Sequence, residues 1–161
     1  MEIYNHFEYG KRIASTLKAI DHHQGRKRFF EAHGLEDLFE LEEVLSSVNG
    51  TILIAVDGCE SESSYNGADC VMDTRHYAYI LACHALSDQP ASITAAINKS
   101  RKLCKQVRNL LLSDINLLGF LNRNTEMNGI GPIGDNFYGC MLSFEINEPD
   151  ELQLDPDAWK K

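Results

Sequence analysis

The chain has 161 residues, of which 43% are hydrophobic and 24% charged, and its formal net charge is −9. That balance suits one domain, 1–161, able to bury roughly 70% of the surface its unfolded chain exposes. It excludes a bilayer-spanning helix, which needs a run of ~20 apolar residues, and it disfavours specific nucleic-acid binding, since an acidic chain is repelled by phosphate backbone.

The N-terminus, Met-Glu-Ile-Tyr-Asn-His, lacks the basic and apolar regions of a secretory signal, so a cytoplasmic site of synthesis is expected. From about Glu2 to His23, Ile3, Phe7, Ile13, Leu17 and Ile20 recur at helical spacing. The polar, basic stretch 23–28 predicts a loop, after which Phe29 and Phe30 re-enter the core. Leu35, Leu38, Phe39, Leu45 and Val48 make a second helical stripe, stopped by Asn49-Gly50. Residues 1–34 are thus expected to form an N-terminal helical extension.

Thr51-Ile-Leu-Ile-Ala-Val-Asp57 is β-branched, apolar and bounded by turn residues, which predicts a strand. Residues 59–68, CESESSYNGA, predict a polar loop carrying the hairpin-turn signal Asn66-Gly67. A longer strand follows over 69–85, apolar on both faces from Tyr77 to Cys83 and so expected at the centre of a sheet. Ser87 to Pro90 break the chain. Ile93, Ile97, Cys104, Val107 and Leu111 then share one arc of a long helix over 91–113, with Lys99, Arg101, Lys102, Lys105 and Arg108 outside it. A strand through 127–133 leads to a last strand, where Tyr138, Cys140, Leu142, Phe144 and Ile146 alternate with Gly139, Met141, Ser143 and Glu145. The tail 147–161 is acidic, contains proline and carries Trp159. The expected fold is α+β: an antiparallel sheet of about four strands in two hairpins, a long amphipathic helix packed on it, and N-terminal helices.

Gly129, Gly131 and Gly134 match G-x-G-x-x-G, but turn chemistry and a period-two strand follow them instead of a helix. They predict turn or bulge positions, not a dinucleotide loop. Asp21-His22-His23 is the sharpest metal candidate, although adjacent histidines on a helix end point apart; His33, His76 and His84 are scattered. Glu60, Glu62, Asp69 and Asp73 offer carboxylates for a divalent ion, with a solvated acidic hairpin as the simpler reading. Ser61, Ser63 and Ser64 lack a G-x-S-x-G elbow. The five cysteines, at 59, 70, 83, 104 and 140, have no C-x-x-C spacing and read as reduced, buried thiols. No cofactor is expected. The basic run 99–108 reads as a solvated helix face, or as a partner for the acidic hairpin of a neighbouring copy.

The layout resembles the tail terminator, or tail completion, and neck proteins of long-tailed bacteriophages and their prophage relatives. Three features carry the resemblance: the strand Ile52-Leu-Ile-Ala-Val-Asp57-Gly58; the long strand ending in Tyr77–Ala85 and running directly into a long amphipathic helix; and Asp135-Asn-Phe-Tyr-Gly139 ahead of Leu142, Ser143 and Phe144. It covers about residues 35–147, with 1–34 and the acidic tail as additions. It implies a non-enzymatic virion protein acting as a homo-oligomeric ring, usually a hexamer, at the head–tail junction. Its partners would be tail-tube and head-connector proteins, and its location the bacterial host cytoplasm and then the virion. The segments expected to meet other chains are the hairpin tip, with Glu60, Glu62, Tyr65 and Asn66, the helix face, with Lys102 and Lys105, and the tail, with Trp159. The alternatives are a bacterial enzyme or metal-binding protein using the acidic hairpin, which predicts tight divalent-ion binding, and a small-molecule binding module with an enclosed apolar pocket between helix and sheet.

Overall fold

A computed structural model describes residues 3–68 and 70–160. Helix α1 spans His6–Thr16 and starts where the Asn5 side chain accepts the Glu8 N–H at 3.1 Å. It ends at Thr16, well short of the predicted His23, and the chain turns through 17–28 into strand β1, Phe29–Ala32. A 3₁₀ turn over Leu35–Leu41 and a single α turn, α2, Glu42–Leu45, then lead to β2, Thr51–Val56. Next come β3, Ser61–Tyr65, β4, Val71–His84, and helix α3, Pro90–Ser113. Strands β5, Glu126–Ile133, and β6, Phe137–Asp150, close the fold.

The fold is α+β, and its sheet differs from the predicted four antiparallel strands. It has six strands in the order β1-β2-β4-β6-β5, with β3 pairing β4 off that path. The sheet is mixed, because β1 runs parallel to β2, Phe29 facing Leu53 and Ala32 facing Val56. A parallel neighbour needs a crossover, and residues 33–50, predicted as a second helix, supply it mostly as 3₁₀ turn. The segment 1–34 is therefore no helical extension: it contributes one helix and one strand. It also places Tyr4, Ile13, Ile20, Phe29 and Phe30 in the core.

Both faces of the sheet are covered. On one, Tyr79 and Leu81 of β4 and Leu142 of β6 pack under Ile13 and Ala14 of α1 and Cys104, Val107 and Leu111 of α3. On the other, Ile52, Ile54, Ile80 and Ala82 pack against Leu45, Ile133 and Phe137. This double cover is why β2 is buried at all six residues and reads as a continuous apolar run. The layers meet closely. A Cβ on Gly10 would lie 2.7 Å from Tyr79 Cε1, and one on Gly139, opposite Ala82, would lie 2.6 Å from the Ala82 Cα.

The glycines of the G-x-G-x-x-G match serve the backbone. Gly129 lies in β5, Gly131 sits at φ +141° where the β5–β6 register shifts between Ile130 and Ile133, and Gly134 turns the chain at φ +57°.

Candidate functional site: a projecting β-arm, a basic helix and an acidic tail

Strands β4 and β6 stay paired from His84–Phe137 at one end to Val71–Asp150 at the other. The helix layer does not follow them that far. Past Tyr77, the first half of β4 is flanked by β3 on one side and by the end of β6 on the other. These three strands form an arm that extends roughly 20 Å beyond Tyr77, at about 3.3 Å per residue. All five residues of β3 are exposed, and Val71–His76 are only half-buried.

The arm continues the β2 side of β4. The His76 N–H donates to the Glu60 carbonyl at 2.9 Å, so β2 and β3 act as one strand interrupted at 57–60. There Cys59 takes φ +55°, and the Asp57 carboxylate accepts the Cys59 N–H at 2.8 Å. Beyond this break β3 pairs only β4 among the described residues, which leaves its other edge open. An open edge presents unpaired N–H and C=O groups, a ready site for strand addition.

Four of the predicted interface residues come together on this arm. Glu60 stands at its root, beside a cleft of about 150 Å³ that also contacts Gly34 and Met141. Glu62 faces Thr74, and Tyr65 faces Val71 at the tip. Asn66 makes the turn, its side chain accepting the Ala68 N–H at 2.9 Å. Segment 59–68 was expected to be loop. The structure makes half of it strand, with no apolar alternation because neither face of the arm meets a core.

The remaining predicted residues lie elsewhere. Lys102 and Lys105 are exposed on α3 and join no ion pair among the described residues. Trp159 follows the 3₁₀ turn Pro156–Ala158 of the tail and is 65% exposed. The tail is ladder-bonded further than expected, since β6 runs to Asp150, and residues 151–160 are exposed throughout.

The metal candidates do not converge. No group of three or more His, Cys, Asp or Glu side chains is placed to hold an ion among the described residues. Glu62 opposes Thr74 and the neighbouring Asp73 opposes Ser63, so these two carboxylates leave opposite faces of the sheet; Asp69 lies outside the described residues. His22 Nδ1 accepts the Arg28 N–H at 3.0 Å and His23 Nδ1 accepts the Gly25 N–H at 3.1 Å, so both rings hold the 21–28 turn together.

Two polar constellations went unseen in the sequence. At the root of the arm, His76 Nδ1 lies 3.3 Å from Glu145 Oε1, its partner across the β4–β6 ladder. Glu145 Oε2 accepts from Asn122 Nδ2 at 2.9 Å. An open cleft of about 270 Å³ runs beside this chain, lined also by Thr125 and Ser143. No hydrogen bond joins the Ser143 hydroxyl to His76 among the described residues, so the step that would activate a serine is not formed. Register alone places His76 against Glu145, and register cannot be read before strand pairing is known.

The second constellation is buried beneath α1. His6 Nε2–H donates to the Ala78 carbonyl at 3.0 Å, which leaves Nδ1 to accept from the Tyr4 hydroxyl, also at 3.0 Å. The Tyr79 hydroxyl donates to the His6 carbonyl at 2.9 Å and lies 2.6 Å from the Tyr4 oxygen. Burial pushes the His6 pKa down to about 4, only partly offset by the Ala78 carbonyl. Burial likewise raises Tyr4 well above the usual range. This is a structural network: it ties α1 to the sheet and holds its histidine neutral. Nearby, Tyr9 donates to Asp114 at 2.9 Å and joins α1 to the end of α3.

The described structure thus defines an α+β protein with a doubly covered mixed sheet and a projecting three-stranded arm. No known family model, no curated protein and no solved structure matches the chain. Among the described residues, no helix is long and apolar enough to cross a membrane.

Proposed function

We propose that the protein is a non-enzymatic structural subunit that works as a homo-oligomeric ring, of the kind found where a phage tail meets the head. The observation that carries this reading is the arm. A folded body has no need to extend two paired strands and a third, open-edged one beyond its own helix layer. The projection costs order in a segment that buries little apolar surface, and a second chain along the β3 edge or against the arm faces would recover that cost. Where the β3 edge meets a different surface of the next copy the contact is heterologous, and successive additions close into a ring when the rotation permits. The tail and the exposed face of α3 provide further surface for neighbours, the tail tube or the head connector.

The test is native mass by light scattering across a concentration series, with negative-stain images of the largest species. Closed rings of about six copies are the expected outcome. A chain lacking residues 61–67, with the β4–β6 pairing intact by circular dichroism, should stay monomeric. Rings that form equally well without β3 would remove the arm from the account.

A further inference from the structure

We propose that the acidic tail, residues 151–160, of one copy docks into the groove between α1 and α3 of another copy. This rests on the homo-oligomer reading and supplies its second contact.

Two surfaces need each other. The first is the groove, of about 480 Å³, with an apolar floor made by Ile13, Leu17, Val107 and Leu110 and polar walls that include Gln106 and Asn109. Leu110 is exposed to solvent there. No carboxylate lines the groove. On the α3 side it is approached by cations. Lys99 stands on the same helical line as Gln106 and Leu110, while Lys102 and Lys105 precede Gln106 and Asn109 by one turn. Helix α3 carries five basic residues and no acidic one between Pro90 and Ser113. A chain of net −9 with +5 on this helix leaves −14 for the rest.

The second surface is the tail, which has the complementary character. Glu151, Asp155 and Asp157 are interspersed with Leu152, Leu154 and Trp159, ahead of the segment's single cation, Lys160. These three apolar side chains are 66%, 78% and 65% exposed. An apolar segment spaced with carboxylates fits an apolar groove rimmed with lysines: the side chains fill the floor while the charges meet at the rim. The three hydrophobes gain burial they lack in the single chain.

Geometry favours a second copy as the host. The turn after α3 already reaches β6, the Asn147 N–H donating to the Phe120 carbonyl at 2.7 Å and the Asn122 N–H to the Glu145 carbonyl at 3.0 Å. Strand β6 continues past that point to Asp150, opposite Val71 at the far end of the arm. The tail therefore departs from the arm tip, at the far end of β6 from the turn that follows α3.

The chain contains a single tryptophan, Trp159, so its fluorescence reports on the tail alone. The experiment follows Trp159 emission, its quenching by acrylamide and the native mass of the full chain over one concentration series. The expected result is a rise in mass accompanied by emission at shorter wavelength and a several-fold fall in quenching. The pair Lys102→Glu and Lys105→Glu should abolish both optical changes. Adding Asp155→Lys and Asp157→Lys to that chain should restore them. A mass that rises while Trp159 stays fully quenchable overturns the docking and leaves the ring reading standing. Protection of Trp159 at the mass of one chain, independent of concentration, overturns the second-copy host in favour of the chain's own groove. Protection in a species that stops at two copies supports the docking and overturns the ring. A single-chain mass with an exposed Trp159 at every concentration overturns both.

Discussion

Lowering the pH should destabilise the fold through His6. Its folded pKa is pushed down to about 4 from an ordinary 6.5, with burial the largest cause. A histidine whose pKa is depressed on folding binds protons more readily in the unfolded chain. Its contribution is therefore complete above pH 6.5 and is lost as the pH falls towards 4. The gap corresponds to about 3 kcal/mol at full expression, and about 2 kcal/mol of it is gone by roughly pH 5. The structural reason is plain: Nδ1 faces the Tyr4 hydroxyl, and Tyr77 and Tyr79 stack on the ring at 4.6 and 4.4 Å, so an imidazolium would be enclosed without a counter-ion in contact. The assay is urea unfolding followed by far-UV circular dichroism between about pH 7.5 and pH 4.5, in the wild type and in His6→Gln. The variant should start less stable, because it disrupts the Tyr4–Ala78 bridge, and should lose much less stability on acidification. His22, whose pKa burial also lowers, is present in both chains and cancels in the comparison. Parallel pH profiles in the two proteins would refute the reasoning.

Other outcomes follow from the packing. Gly139→Ala should cost about 3 kcal/mol or more, since its Cβ would collide with the β4 backbone, whereas Gly129→Ala, with nothing within 4 Å, should be near neutral; thermal denaturation separates them. Leu111→Ala, on the buried face of α3 and 1% exposed, should cost about 3 kcal/mol in the same assay. Tyr9→Phe removes the hydrogen bond to Asp114 that joins α1 to α3 and should cost about 1–2 kcal/mol. Absorbance titration should find the Tyr9 hydroxyl ionising at about 12, pushed there by burial and by its bond to Asp114.

The parts of the fold legible in the sequence are those whose pattern and environment agree. β2 is apolar from Ile52 to Val56 because both its faces are covered, and α3 shows one apolar arc because one side meets the sheet. β6 alternates where its two faces differ. What stayed hidden had no such one-to-one signal. The four residues of β1 are too few to display a period, and their parallel pairing depends on a partner more than twenty residues away. β3 is written in serine, glutamate and tyrosine, and nothing in it distinguishes a strand from a loop except the turn at Asn66-Gly67. His76 looked scattered because only the β4–β6 register brings it to Glu145. His6 lay inside a segment whose helical stripe was traced through Ile3, Phe7 and Ile13, so a buried polar residue one position away left no mark. The arm residues Glu60, Glu62, Tyr65 and Asn66 were found as a group, because sequence neighbours on a hairpin remain neighbours in space. Lys102 and Lys105 lie on α3 and Trp159 in the tail, on elements that sequence proximity does not join.

The uneven placement of charge on α3 has one more consequence. With five of the chain's fifteen lysines and arginines on α3 and no carboxylate there, the helix is a local basic face on a net anion. Two copies approaching in solution would meet more readily with this face towards carboxylates of the other copy than with two such faces together. The same asymmetry should be visible at the bench. A protein with an isoelectric point near 5.0 ought to pass through a cation exchanger at neutral pH, yet this one should be retarded there at low salt, held by a single helix.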